Sequence, residues 1–451
     1  MGLLENLAKT INSNGGKIYT VGGPVRDQLL NIENSKDIDF IVCGILLSDL
    51  KKILRRFGTI NLVGQSFGVI KFKPFKSESV YDISLPRKES STGAGHRDFD
   101  VDFDYTLPIE KDLSRRDFTI NAMAKEFPGG EIIDPFGGRD DLDNKILRMV
   151  FDSGFIDDPL RIIRGIQFAA RFNLTVESNT LTSMIKQVNL IETVSPERIA
   201  EELNKLLELA EKPSIGFRLM NQTGLLEHIL PELAQTVGID QPGGYHRWDV
   251  FEHTLHTVDA LPLDLKVRLA GLFHDVGKPA AKQIVENGAT FYNHDKLGGR
   301  LAEQALKRLR YSNETIKQVC LLIDKHMFSE NAGDKGIRRL IHRVGTDLIF
   351  DLIELRRADT IAQGMGQTTD SIDEFKLKVE AELAKCRAFG LKDLAVNGTD
   401  LQKRFGLSEG LVIGEILNYL LEQVLDNPDF NTVEKLLLLS ADYLNKRPLD
   451  I

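Results

Sequence analysis

KIYTVGGPVRDQLLNIENSKDIDFIV, residues 17–42, decides how the chain is read. KIYTV has the β-branched and aromatic content of a strand, and Gly22-Gly23 makes a tight turn into the short helix VRDQLLN. DIDFIV (37–42) is a second strand. Residues two apart in a strand share a face, so Asp37 and Asp39 are expected to project together. Two carboxylates held that close repel each other unless a divalent cation neutralises them. The glycine pair upstream lets the backbone approach an anion, and Arg26 follows on the helix. An isolated D-x-D is an ordinary solvated strand end. Placed just after a Gly-Gly turn, it becomes a candidate metal and phosphate site.

Working outward, residues 3–12 have helical apolar spacing that Gly15-Gly16 closes. LSDLKKILRRF (47–57) is an amphipathic helix, and GVIKFKPF and VYDISL alternate as strands, the second carrying Asp82 as a third carboxylate. Residues 87–112 are polar around STGAG and read as a mobile loop. LSRRDFTINAMA (113–124) gathers Arg115, Arg116, Asp117 and Asn121 into one turn-and-helix. From about residue 143 onward the pattern is helical. The expected fold class is α+β, a small head with mostly sequential strands on a long α body. The expected division is 1–142, 143–210, 211–364 and 365–451.

The 451 residues, 42% hydrophobic and 27% charged, are ordinary for a globular chain and suggest about three domains. No stretch approaches the roughly 18 apolar residues of a membrane span. The acid-bearing start MGLLENLAKT is not a signal peptide. Three scattered cysteines, Cys43, Cys320 and Cys386, exclude a disulfide framework and fit the cytoplasm. The net charge of −9 excludes a basic nucleic-acid coat protein but not a local basic groove. Arg97, Lys111, Arg115, Arg116, Arg139, Arg148, Arg164 and Arg171 are its candidates.

Histidine is scarce, nine in all, and concentrates in the body. His253, the pair His274-Asp275, His294, His326 and Asp359 follow as H…HD…H…H…D. Any one alone is an ordinary half-buried residue, whereas the ordered set suits first-row divalent cations. His246, His256 and His342 are read as structural.

In order, VGGPVRDQLLN, KDIDFIV, RRDFTINAMA, DPFGGRDDL and DDPLRIIRGIQFAARF resemble the motifs of bacterial-type (class II) tRNA nucleotidyltransferases and bacterial poly(A) polymerases. With SPERIAEEL (195–203) the resemblance spans roughly residues 17–205. It implies a polymerase-β-like nucleotidyltransferase head, an all-α neck and a helical C-terminal region. Asp37 and Asp39, with Asp82 beside them, would hold Mg²⁺ for phosphoryl transfer to an RNA 3′-hydroxyl. Gly22, Gly23 and Arg26 would cradle phosphates. Arg115 and Arg116 would face the triphosphate or the RNA, and Asp117 with Asn121 the sugar. Arg164 joins the nucleotide-binding set. Pro24 departs from the small residue common in the family and removes one backbone donor.

Asp158 and Arg161, three apart on one helix face, match the family's base-reading motif. Cytosine and adenine both present an amine donor beside a ring-nitrogen acceptor, which an accepting Asp and a donating Arg complement. Pro159 makes a helix cap the competing role for Asp158. The histidine set resembles the HD phosphohydrolase superfamily. That implies His253, His274, Asp275 and Asp359 as core ligands and His294 and His326 as second-metal ligands. Lys278 would be a phosphate contact, and Mn²⁺, Ni²⁺, Co²⁺ or Mg²⁺ the metal. Such domains in this group imply phosphatase and 2′,3′-cyclic phosphodiesterase activity.

The expected function is CCA addition to the tRNA 3′ end from CTP and ATP, with no membrane partner. A full-length 87–112 segment argues against a C-C-only enzyme, and the acidic total argues against a poly(A) polymerase. An A-only enzyme stays open, as does an HD phosphohydrolase with an RNA-binding head.

Overall fold

The computed structural model describes residues 2–32, 38–63, 69–91, 99–242, 247–286, 288–386 and 388–446. The chain divides into two compact units, Met1–Pro231 and Glu232–Ile451. Among the described residues no helix is long and apolar enough to cross a membrane.

The first unit is built on strands β1 (Lys17–Val21), β2 (Asp39–Cys43), β3 (Gly58–Val63), β4 (Val69–Pro74) and β5 (Tyr81–Ser84). The chain continues through β6 (Arg87–Ser91), β7 (Phe99–Phe103), β8 (Ala124–Glu126) and β9 (Ile132–Ile133). One sheet runs in the order β3-β4-β5-β2-β1-β8-β9. Four of the six neighbouring pairs are sequential, in line with the expected mostly sequential order, and these are antiparallel; β2 lies parallel to β5 and β1 antiparallel to β8.

Alternation along β2 fixes where its carboxylate goes. Phe40 and Val42 pack with Ile18, Phe72 and Ile83 beneath Leu7, Ile11, Leu50 and Leu54. Those last four come from helices α1 (Leu3–Ser13) and, after α2 (Gly23–Leu29), α3 (Leu47–Arg55). Ile41 faces the other way, with Tyr19, Val21, Ile109 and Leu113. Burying each large apolar side chain is worth about 1.5–3 kcal/mol, so a one-residue slip is strongly disfavoured. Asp39 therefore shares the face of Ile41, on which α4 (Ile109–Leu113) sits.

The expectation of a loop over 87–112 is corrected. β6 and β7 pair antiparallel, from Arg87 opposite Phe103 to Ser91 opposite Phe99, and α4 follows. The alternation of FDVDF carries a strand signal that the polar composition obscures. Residues 92–98, which include the last four residues of STGAG, lie outside the described residues, as does Asp37.

Helices then take over: α5 (Gly138–Asp143), α6 (Gly154–Asp157), α7 (Leu160–Phe172), α8 (Ser178–Gln187) and α9 (Pro196–Leu209). Leu160, Ile162, Ile163 and Ile166 bury one side of α7. Asn173 closes it in the left-handed conformation that Asn tolerates, at φ +52°.

Among its described residues the second unit is helical apart from the short antiparallel strands Gln283–Val285 and Gly288–Thr290. Its C-terminal helices share a core of Leu401, Ile416, Leu420, Val424 and Leu436. The buried Arg338 ties that part together by donating to the carbonyls of Leu425 and Asp426 while pairing with Glu382.

Candidate functional site

A cleft of about 460 Å³ in the first unit collects most of the residues the motifs single out. Gly23, Arg26, Asp39, Arg115, Arg116, Asp117, Asn121, Asp158, Arg161 and Arg164 line it. Asp82 and Gly22 do not. Asp82 stands beside Asp39 in register across the parallel pair, but Lys71 Nζ holds its carboxylate at 2.9 Å. Asp39 itself is exposed at the strand end.

Gly22 earns its place by conformation and space. Its φ is +71°, and a Cβ there would lie 2.6 Å from Arg116 NH1. Its N–H donates to the Met123 carbonyl at 3.0 Å, so Gly22 has no backbone donor to spare for a phosphate. Pro24 sits in the first turn of α2, where its missing N–H leaves no helix bond unmade.

Around the turn, acids set the arginines. Asp112, fully buried, holds Arg115 through Oδ1 at 2.6 Å and Arg116 through Oδ2 at 3.3 Å. Arg26 is 5% exposed; it pairs with Asp27 and donates from NH1 to Asn121 Oδ1 at 2.6 Å. Its guanidinium lies 4.5 Å over Phe172 and 5.2 Å over Phe168. Burial lowers its pKa, and Asp27 offsets part of that. Asn121 passes the network on, donating from Nδ2 to Asp117 Oδ1 at 3.0 Å, while Arg164 Nε pairs with Asp117 Oδ2 at 2.7 Å. Burial would raise the Asp117 pKa, but Arg164 and the Asn121 hydrogen bond hold it below the usual carboxylate range. Arg26, Asp117 and Asn121 thus form a pre-set scaffold more than a row of open ligands.

Asp158 does not cap α7. The cap position belongs to Pro159, and Asp158 is extended at φ −140°, ψ 96°. Its Oδ2 meets Arg198 at 3.4 Å, while Oδ1 is buried without a hydrogen-bond partner. Arg161 NH2 donates to the Arg115 carbonyl at 3.0 Å, and its NH1 is likewise buried and unpartnered. An unmet acceptor and an unmet donor thus belong to two residues, three apart, that line one cleft.

Sequence reasoning missed Arg87, Gln167, Phe168, Glu202 and Lys205 in this lining. Gln167 and Phe168 fall on the α7 face of Arg161, Arg164 and Arg171, and Arg198, Glu202 and Lys205 share a face of α9, so helical spacing could have found them. Arg87 carried no signal. Among the basic-groove candidates, Lys111, Arg139 and Arg148 do not line the cleft, Arg148 being paired with Asp141, and Arg97 lies outside the described residues.

In the second unit five helices bring the histidine set together. His253 lies on Val250–Ala260 and Asp359 on Ile349–Ala362. His274 ends Leu265–Phe273 with Asp275 next, His294 opens His294–Arg308, and His326 ends Asn313–Lys325. All six are buried. Two triads form, His253-His274-Asp359 and Asp275-His294-His326, each with its ligand atoms within 4.8 Å of one another.

The hydrogen bonds settle the ring tautomers. Nδ1 of His274, His294 and His326 each lies 2.7 Å from a backbone carbonyl, of Gly271, Phe291 and Ile323. A carbonyl only accepts, so each Nδ1 carries a proton, and a ring in its neutral form presents a lone pair at Nε2, which His274 does once a metal ion displaces its second proton. His294 Nε2 and His326 Nε2 face each other at 3.3 Å. Burial and the neighbouring His274 push the His326 imidazole down to about 4, so that ring is neutral, with its one proton on Nδ1. Burial also opposes the His274 cation, but Asp275 and Asp359 outweigh it and hold that group up at about 10. Converging lone pairs and carboxylates demand positive charge, and this donor set fits first-row divalent cations. Lys278 Nζ lies 2.6 Å from Asp275 Oδ2 and from Gln241 Oε1, and Arg356 braces Asp359 at 3.1 Å. His256 stacks on Trp248 and His342 Nδ1 donates to the Phe389 carbonyl, while His246 lies outside the described residues.

The geometry has counterparts among known proteins. A family model described as "Poly A polymerase head domain" matches residues 18–148. "Probable RNA and SrmB- binding site of polymerase A" matches 173–236, and a model of tRNA nucleotidyltransferase domain 2 matches 291–439. A "Multifunctional CCA protein" of Herminiimonas arsenicoxydans is 37% identical over 306 residues, 66% of this chain and 70% of that one. The chain belongs to the tRNA nucleotidyltransferase and poly(A) polymerase family. An "A-adding tRNA nucleotidyltransferase" of Deinococcus radiodurans is a further member, 34% identical over 330 residues, 70% of this chain and 75% of the relative. The fold also matches the crystal structure of the Bacillus stearothermophilus CCA-adding enzyme in complex with CTP. The TM-score is 0.73 at 22% identity, over 98% of this chain and 97% of the other. As a tRNA nucleotidyltransferase-family protein the chain has the expected α+β class, a polymerase-type head followed by helical regions.

Proposed function

We propose that this protein builds or repairs the 3′-terminal CCA of tRNA from CTP and ATP, without a nucleic-acid template, in the cytoplasm. The observation that carries the reading is the buried, unmet pair Asp158 Oδ1 and Arg161 NH1 in the cleft. Cytosine and adenine satisfy both groups; uracil and guanine set acceptor against acceptor and donor against donor. Each mismatch leaves a buried polar group unpaired, at a cost of about 1–3 kcal/mol, or roughly 5- to 150-fold in selectivity.

The cleft draws on both the proposed head (1–142) and the proposed neck (143–210). Asp39 with Asp37 would hold Mg²⁺, which supplies charge neutralisation for the triphosphate and activates the attacking hydroxyl. Arg115 and Arg116, pre-set by Asp112, bind the polyanion, and Gly22 keeps the turn open for Arg116. The network from Arg26 through Asn121 and Asp117 to Arg164 fixes the cleft wall.

A second reading concerns the other unit and rests on the inward-facing Nε2 atoms. His253, His274, Asp275, His294, His326 and Asp359 would hold one or two divalent ions, with Mn²⁺, Ni²⁺, Co²⁺ or Mg²⁺ as candidates. The metal would supply an activated water for phosphoester hydrolysis, with 2′,3′-cyclic phosphates as the candidate substrates. Lys278 and Arg356 orient the carboxylates of that site.

The test uses tRNA transcripts that end before, within and after CCA, given CTP and ATP together or singly, with the 3′ ends sequenced. Addition of C-C-A and no more is expected. Extension only of transcripts ending in C-C marks an A-adding enzyme, and a long A-tail marks a poly(A) polymerase. No extension of any transcript overturns the proposal.

A further inference from the structure

Gln167 lies in the middle of α7, is 1% exposed, and lines the cleft. Neither its Oε1 nor its Nε2 has a hydrogen-bond partner. A buried amide left unmet on both atoms is costly, and sites of that kind are completed by a bound group. The motifs did not assign this residue.

The groups that the family resemblance gives to the sugar are already engaged inside the protein. Asn121 takes Arg26 on its oxygen and gives its nitrogen to Asp117. Asp117 accepts from Asn121 and from the Phe118 N–H on one oxygen, and pairs with Arg164 on the other. Gln167 is the neutral group of the lining that offers both a donor and an acceptor.

We propose that Gln167 binds a ribose hydroxyl of the incoming nucleotide and so helps select ribonucleotides over deoxyribonucleotides. The inference rests on the nucleotide-adding reading of this cleft. A hydroxyl both donates and accepts, as an amide does, so one hydroxyl can satisfy Oε1 while its neighbour accepts from Nε2. Phosphate oxygens only accept and would leave Oε1 facing negative charge. The base edge is matched by Asp158 and Arg161. Gln167 lies six positions after Arg161, about 9 Å along the helix, which is the scale of one nucleoside.

Gln167→Met keeps the length of the side chain and removes both polar atoms. Without nucleotide its melting temperature is expected to equal or exceed that of the wild type, because no protein partner is lost. Addition to a tRNA lacking CCA is then measured with CTP, 2′-deoxy-CTP and 3′-deoxy-CTP. The variant is expected to lose roughly tenfold or more in kcat/KM for CTP while staying within about twofold of wild type for one deoxy analogue. Gln167→Glu, which keeps the acceptor and loses the amide donor, is expected to lose activity with CTP as well. An equal loss with CTP and both analogues, no loss at all, or a lowered melting temperature overturns the role of Gln167. A wild-type protein that adds nothing to any transcript overturns the underlying reading instead.

Discussion

At the scale of single residues, the proposed base-reading pair, Asp158 and Arg161, is defined by what it does not bond. Asp158 keeps one oxygen on Arg198 and leaves the other unmet, while Arg161 is steered by the Arg115 carbonyl and lies over Phe151 at 5.3 Å. Asp158→Ala is therefore expected to slow CTP and ATP incorporation and to relax rejection of UTP and GTP by at least roughly fivefold. Competition assays with the four triphosphates on one tRNA transcript measure this; unchanged selectivity removes Asp158 as a reader. The variant should still bind triphosphate, since Arg115 and Arg116 are held by Asp112.

At the scale of elements, much of the fold was legible because alternation and helical spacing each bury one face. KIYTV and DFIVC form strands on that basis, and LSDLKKILRRF forms a helix over Leu47–Arg55. The pairing of β6 with β7 was not legible, because the polar content of 87–112 outweighed a five-residue alternation. The candidate site was legible where chemistry concentrates, at Asp39, Asp158, Arg161 and the histidine set. Asp112, Gln167 and Arg356 were not, because their roles depend on partners distant in sequence or on the lack of any partner. The engagement of the Gly22 N–H by Met123, 101 positions away, is likewise a tertiary fact.

The five-helix histidine cluster makes its own prediction. Its ligands fall into two triads, so wild-type protein titrated with Mn²⁺ is expected to show two binding events by calorimetry. His326→Ala removes a ligand from one triad only and should reduce the stoichiometry to one. If both events persist in that variant, His326 is not a ligand.

At the scale of the whole molecule, charge is segregated. The chain carries a net charge of −9, yet the cleft lining has eight cationic side chains against four acidic ones. An RNA end bound there releases counterions, and a net of four phosphate contacts costs about 50-fold in affinity between about 50 and 200 mM salt. Filter-binding or anisotropy titrations of tRNA across that range test it, and salt-independent binding contradicts the picture. The two proposed chemistries draw on residues of separate compact units, so they should be separable by mutation. Asp39→Ala is expected to stop nucleotide addition and spare phosphoester hydrolysis; changing both His274 and Asp275 to Ala should do the reverse. Loss of both activities in either variant, with circular dichroism unchanged, refutes independent sites.

Arg26 has a consequence for how the first unit breathes. It leaves the glycine turn on α2 and settles against Phe168 and Phe172 of α7, which stack on each other at 6.0 Å. The two helices are far apart in sequence, yet neither can swing away without stripping a buried cation of its aromatic cover and of its bond to Asn121. In hydrogen-exchange terms, α2 and the C-terminal half of α7 are expected to open as one unit. Their slowest amides should exchange with a common free energy that drops together in Arg26→Met, while amides of α1 and α3 keep their own. The turn proposed to lie against the triphosphate and the helix proposed to read bases then stay in register through thermal fluctuation.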